Sequence, residues 1–192
     1  MKRTIFIIPG FQHKTSDSQY KWMMSFFGKK GFVVKFAPIH WNYRVMSDYV
    51  SEFEEYYEKH KAGKNYVLGF SYGAMIAFIS AQRLQPDKLY LCSLSPYFKE
   101  DLKTLKPFWK RFIGKQRFHD FQKISAKQIA EKLKIPTIIF YGSGEVKKYP
   151  QLKVRCEETS KIMKNTRLVI VKYAPHKIDH PNYIKAIKEE FS

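Results

Sequence analysis

A serine flanked at two residues' distance by glycines, Gly69-Phe70-Ser71-Tyr72-Gly73, constrains the fold of this chain more than any other feature. Ahead of it, Asn65-Tyr66-Val67-Leu68 is a short run of β-type residues; behind it, the small and apolar residues from Ala74 to Leu84 read as a helix. A G-x-S-x-G between a strand and a helix is a nucleophile elbow. The turn demands a strained backbone at the serine, and neighbours without side chains let strand and helix close around it. The hydroxyl then projects from the end of the strand. With 9 Gly and 13 Ser in 192 residues, the bare pattern arises by chance in roughly 0.03 of such chains, so the flanking elements carry the assignment. Without them the motif is a Gly-rich turn with an N-capping serine.

Apolar runs and helical patterns alternate along the whole chain. Strands are expected at Thr4–Ile8, Phe32–Phe36, Tyr66–Gly69, Lys88–Leu94, Thr137–Tyr141 and Arg167–Tyr173, several of them continuous runs of the kind buried on both faces. Helices are expected near Ser18–Lys29, Met46–His60, Gly73–Leu84, Ser125–Leu133, Gln151–Lys164 and Asn182–Phe191. This rhythm predicts an α/β fold: three layers around a doubly wound, mainly parallel sheet of about six strands. Such a sheet carries its site at the carboxyl ends of its strands. No repeat, low-complexity tract or linker interrupts it, so residues 1–192 read as a single domain.

The segment 97–124 breaks the rhythm. Leu102, Leu105, Trp109 and Phe112 recur at near-helical spacing with Lys103, Lys106, Lys110 and Arg111 between them. Three readings stay open: an amphipathic helix packed on the domain, a small cap over a substrate mouth, or a basic helix lying on a membrane.

Charge and composition exclude several classes. The formal charge is +18, yet 28 of the 35 basic residues are lysines spread along the chain, a solvated surface rather than the arginine forks of a nucleic-acid reader. No specific nucleic-acid partner is expected. The basic and then apolar N-terminus is broken by Pro9-Gly10 after Ile5-Phe6-Ile7-Ile8, too short for a secretory signal, and no stretch has the length of a membrane span. Cys92 and Cys156 form no disulfide framework, so a cytoplasmic location is expected. The oligomeric state is left open.

A serine hydroxyl needs a base to take its proton and a third group to orient the base. Of six histidines, only His176 and His180 follow every expected strand. His176, in Tyr173-Ala174-Pro175-His176, falls in the loop after the last strand and is the expected base; His180 precedes Pro181 and begins the final helix. Glu145 is the first carboxylate after the preceding strand, in Gly142-Ser143-Gly144-Glu145, and Asp179 is its rival as the acid. Two backbone donors complete the chemistry by holding an oxyanion. They are expected at Tyr72, directly after the serine, and at Phe11, after Pro9-Gly10. His40, Trp41, Tyr97 and Trp109 are expected to line an aromatic substrate pocket.

These residues together resemble the α/β-hydrolase family, over essentially the whole chain. Ile7-Ile8-Pro9-Gly10-Phe11 is similar to that family's strand with its oxyanion loop, Gly69–Gly73 to its elbow, Gly142–Glu145 to its acid loop, and Ala174-Pro175-His176 to the loop bearing the base. The resemblance implies a minimal, six-stranded version of an eight-stranded sheet, beginning at what would be the third strand. Pro9 stands where the family commonly has His, and Glu145 where it commonly has Asp.

The expected function is therefore a serine hydrolase acting on a small ester or thioester through an acyl-enzyme on Ser71, with no cofactor or metal. A catalytically silent binding module on the same scaffold is the alternative. Metal chemistry from His176, Asp179 and His180 is a third possibility, weakened by the lack of an H-E-x-x-H helix.

Overall fold

In the structure, a computed structural model that describes residues 2–42 and 44–192, six parallel strands form one sheet. They are β1 (Arg3–Ile8), β2 (Phe32–Phe36), β3 (Lys64–Phe70), β4 (Lys88–Cys92), β5 (Thr137–Gly142) and β6 (Thr166–Val171), in the spatial order β2-β1-β3-β4-β5-β6. Helices connect them: α1 (Lys21–Lys29), α2 (Met46–His60), α3 (Tyr72–Leu84), then α4 (Pro107–Ile113), α5 (Lys115–Phe121) and α6 (Ala126–Lys132) between β4 and β5, followed by α7 (Pro150–Ile162) and α8 (Pro181–Glu189).

The three layers follow from side-chain alternation along the strands. Ile5 and Ile7 of β1, Leu68 and Phe70 of β3 and Tyr90 and Cys92 of β4 face one core with Met23 and Phe27 of α1 and Tyr183 and Ile187 of α8. Their neighbours Phe6, Ile8, Val67, Leu89 and Leu91 face the other, against α2, α3, α6 and α7. Each fully buried aliphatic or aromatic side chain contributes about 1.5–3 kcal/mol. The chain leaves β1 outward to β2, then crosses back to β3 and runs the other way. Ligands bind at such a reversal, outside the carboxyl ends of the strands. The loop after β1 and the elbow after β3 flank it here.

Two expectations are corrected. The spacing of Leu102, Leu105, Trp109 and Phe112 does not mark one helix: residues 99–104 form turns, and helix begins only at Pro107. Asp101 holds those turns, accepting from the Phe98 amide at 3.0 Å while its own carbonyl accepts from the Thr104 hydroxyl at 2.8 Å. Pro107 has no N–H to extend a helix from the residues before it, and Gly114 separates α4 from α5. The other correction concerns strand ends: β4 and β6 stop at Cys92 and Val171, because Ser93 and Tyr173 turn the chain with φ of 55° and 60°. Among the described residues no helix is long and apolar enough to cross a membrane.

Candidate active site

The elbow closes as tightly as backbone allows. A Cβ on Gly69 would stand 2.2 Å from the Gly73 carbonyl oxygen, and one on Gly73 would stand 2.2 Å from that of Ile8 and 2.4 Å from that of Pro9. Only hydrogen fits at both positions. Between them Ser71 adopts φ 57° and ψ −116°, a conformation that costs about 1–3 kcal/mol for a residue with a side chain. The Ser71 amide donates to the Cys92 carbonyl at 2.8 Å, which locks the turn to the neighbouring strand.

Ser71 Oγ lies 3.0 Å from His176 Nε2, and His176 Nδ1 lies 2.8 Å from Glu145 Oε2. The carboxylate of Glu145 is buried, with Oε1 accepting from the Gly142 amide and from the Ser93 hydroxyl, each at 2.8 Å. These partners fix the roles of the imidazole nitrogens. A carboxylate only accepts, so Nδ1 carries the hydrogen and Nε2 presents its lone pair to the Ser71 hydroxyl. Gly142 makes the approach possible, since a Cβ there would meet Glu145 Oε1 at 2.8 Å and the Ala174 carbonyl oxygen at 2.1 Å. The His176 ring is clamped between Phe70 and Tyr149, at centroid distances of 4.9 and 5.4 Å. Ser71, Glu145 and His176 are thus brought together. Asp179 is exposed and makes no recorded bond to His176, while the His180 ring accepts from the Asn182 amide and caps α8. Among the described residues no three His, Cys, Asp or Glu side chains gather as metal ligands.

Sequence reasoning missed the support around this group. Ser93 is fully buried and joins Glu145 to Tyr183, whose Oη stands 2.7 Å from Ser93 Oγ. Burial pushes the Tyr183 phenol and the Cys92 thiol well up from their ordinary pKa values, and the Glu145 charge adds to both. Ser95 Oγ stands 3.2 Å from Ser71 Oγ. Both serines sit just past β4, at the carboxyl edge, and that position was the available signal.

Phe11 and Tyr72 flank the Ser71 hydroxyl from the β1 loop and the start of α3, and neither amide donates to another group among the described residues. Their rings pack at 5.0 Å. The β1 loop is held from behind: the Gly10 amide donates to Tyr20 Oη at 2.9 Å, so the Tyr20 hydroxyl is free to donate to His13 Nδ1, also at 2.9 Å. That bond needs a neutral His13. Burial lowers the His13 pKa, with the nearby His176 pressing the same way and Asp17 opposing.

A cavity of about 330 Å³ opens beside Ser71 and His176, walled by the rings of Phe11, Tyr72, Tyr97, Trp109, Phe112 and Tyr149. Tyr97 and Trp109 line it. His40 and Trp41 do not line it. His40 is exposed and pairs with Glu52, and Trp41 stands behind the wall, 5.5 Å from the Phe11 ring and 5.0 Å from that of Tyr49. Phe98, next to Tyr97, is buried against Phe78 and under the Arg155 guanidinium.

No protein-family model matches the sequence, and no curated protein matches it. Solved structures do. Est1E from Butyrivibrio proteoclasticus superposes with a TM-score of 0.81 at 17% identity, over 99% of this chain and 85% of that one. A bromoperoxidase from Bacillus anthracis gives 0.72 at 12% identity, over 99% and 90% of the two chains. A monoacylglycerol lipase from Paleococcus ferrophilus gives 0.69 at 15%, over 98% and 93%. At such identities the likeness is one of fold.

Proposed function

The chain has the α/β-hydrolase fold, and on that scaffold we propose that it is a serine hydrolase that cleaves small esters or thioesters through an acyl-enzyme on Ser71. The observation that carries the reading is the hydrogen-bonded series Glu145–His176–Ser71, ending at the mouth of an apolar cavity. In the proposed cycle Ser71 Oγ attacks the carbonyl carbon while Nε2 of His176 takes its proton. Glu145 stabilises the imidazolium, and the Phe11 and Tyr72 amides receive the charge on the carbonyl oxygen. The imidazolium then protonates the leaving alcohol or thiol. A water deprotonated by the same nitrogen releases the acid. Neighbours of the same fold bearing esterase and lipase names support this reading, and the aromatic cavity favours an apolar acyl or alcohol part.

A fluorophosphonate probe tests it. Wild-type protein should be labelled once, at Ser71, and Ser71→Ala and His176→Ala should both resist labelling. A Ser71→Ala protein labelled as fast as wild type would refute the assignment.

We propose further that residues 97–124 act as a small cap, contributing Tyr97, Leu105, Trp109 and Phe112 to the cavity wall. A cap binds parts of the substrate remote from the carbonyl. Trp109→Ala should therefore raise KM for long-chain esters several-fold and leave acetyl ester turnover within about twofold. Unchanged chain-length preference with a lowered Tm would mean that the segment is packing alone.

A further inference from the structure

The cavity is walled mainly by apolar and aromatic side chains, and charge enters it in a particular arrangement. Lys106, just before α4, and Lys148, just before α7, both line it, and no Asp or Glu does. The carboxylates of the surrounding elements are each committed elsewhere. Glu145 holds His176, Asp101 pairs with Arg155, Glu100 accepts from Ser125 and the amides of Ala126 and Lys127, and Asp120 accepts from Ser47. Neither Lys106 nor Lys148 makes an ion pair among the described residues. The Lys148 ammonium lies 5.3 Å over the Tyr149 ring, the ring that packs against His176. The Tyr149 ring thus touches both a cation and the base. The wall between Lys148 and Gln151 includes Pro150, the first residue of the thirteen-residue helix α7, whose N-terminal end adds positive partial charge on the same side.

We infer that the cavity selects esters carrying an anionic oxygen group, carboxylate or phosphate, separated from the reacting carbonyl by an apolar or aromatic body, with Lys106 and Lys148 as the anion's partners. This rests on the hydrolase reading and deepens it. The Tyr149 ring covers one side of the Lys148 ammonium, and Lys106 is an exposed cation on the rim of the same cavity, so a charge pair formed beside the ring is screened less than one on open surface. A neutral ester gains nothing from either lysine, so the two cations act as a selectivity filter. Net charge alone attracts anions to a chain of +18, and the test separates that general field from the two cavity residues.

Binding is measured by calorimetry on Ser71→Ala protein at low and at moderate salt, using 4-phenylbutyrate and its neutral twin 4-phenylbutanamide. The anion should bind about tenfold more tightly at low salt. Lys106→Gln and Lys148→Gln should each reduce that ratio about threefold to fivefold, and the double change should erase it. Lys110→Gln, on the α4 surface outside the cavity, should leave the ratio alone and so serves as the control for lost net charge. Equal affinities for the two ligands, no binding of the anion, or an equal effect of Lys110→Gln would each overturn the inference. With active enzyme, p-nitrophenyl hemiadipate against its methyl ester places the anion on the acyl side, and 3-carboxyphenyl butyrate against phenyl butyrate places it on the leaving side. A lysine-dependent preference in either pair supports the inference, and none in both refutes it. Replacing phenylbutyrate by 3-phenylpropylphosphonate tells phosphate from carboxylate. Because the calorimetric ratio needs no turnover, equal affinities would sink the anion filter alone, and labelling of Ser71→Ala would sink the hydrolase reading alone.

Discussion

Replacing Glu145 by glutamine tests the whole hydrogen-bonded series with one atom's change, and the structure dictates how it fails. Oε1 accepts from the Gly142 amide and the Ser93 hydroxyl, each at 2.8 Å, and the Gly142 amide can only donate. The glutamine carbonyl oxygen must therefore take the Oε1 place. Its NH2 group then occupies the Oε2 place, 2.8 Å from His176 Nδ1. Two donors cannot face each other, so Nδ1 must become the acceptor and the imidazole hydrogen moves to Nε2. That hydrogen points at Ser71 Oγ, 3.0 Å away, and the ring can no longer take the serine proton. The same inversion in a serine protease triad lowers kcat by about 10⁴, equivalent to about 5.4 kcal/mol of transition-state stabilisation. Folding should be largely spared, because the Gly142 and Ser93 bonds survive. The assay is turnover of p-nitrophenyl acetate beside a thermal melt: kcat should fall by about 10³–10⁴ with little change in Tm. A loss under tenfold would refute the reasoning, and an equally large loss in Asp179→Asn with Glu145→Gln unharmed would transfer the role to Asp179.

Other expectations are as direct. Gly73→Ala drives a methyl group to 2.2 Å from the Ile8 carbonyl oxygen, so it should yield insoluble protein or one with a greatly lowered Tm, whereas Gly28→Ala, with nothing within 4 Å, should be tolerated. Arg155→Met leaves Asp101, only 6% exposed, without the guanidinium that bonds it at 2.6 and 3.1 Å; urea unfolding should show a loss of about 3–5 kcal/mol, recovered in part by adding Asp101→Leu. His13 has a folded-state pKa below its unfolded value of 6.5, so below pH 6.5 the unfolded chain binds the extra proton and stability declines until the folded pKa is passed. Above pH 6.5 this contribution is fully present. The Tm of wild type should therefore drop more steeply between pH 7 and pH 5 than that of His13→Gln, and parallel curves would exclude the neutral His13–Tyr20 bond.

What the sequence discloses here is what depends on local pattern. The six strands are legible because they are apolar runs, buried in β1, β3, β4 and β5 and only partly covered in the edge strands β2 and β6, and α2 is legible because Met46, Tyr49, Phe53 and Tyr57 repeat on one face. What escapes depends on spatial order. His40 and Trp41 follow β2 and look like residues at the mouth, but β2 is the edge strand beyond β1, so the loop after it opens behind Phe11 instead of over Ser71. Leu102 reaches the core from turns, and Leu105 from the stretch just after them, and the turns are held by Asp101 and its bond to Arg155, 54 residues away. Pro107 is the local sign in the sequence that no helix runs through the segment from Leu102.

The two serines at the ends of β3 and β4 carry this distinction to its limit. Phe70 pairs with Cys92 in register, so Ser71 and Ser93 are equivalent positions on adjacent strands. Both turn the chain with positive φ, 57° and 55°, and both donate their amides to carbonyls of the neighbouring strand, Ser71 to that of Cys92 at 2.8 Å and Ser93 to that of Phe140 at 2.7 Å. Such strain, about 1–3 kcal/mol each, persists only where the surroundings over-determine it. The first hydroxyl faces His176 and the second anchors Glu145, one interstrand step of about 4.8 Å away. The sheet itself therefore sets the distance between the proposed nucleophile and the anchor of its acid, and the loop after β6 has only to deliver an imidazole between them. Glycines betray the first serine in the sequence. The second lies between Cys92 and Leu94, where no neighbour marks the turn.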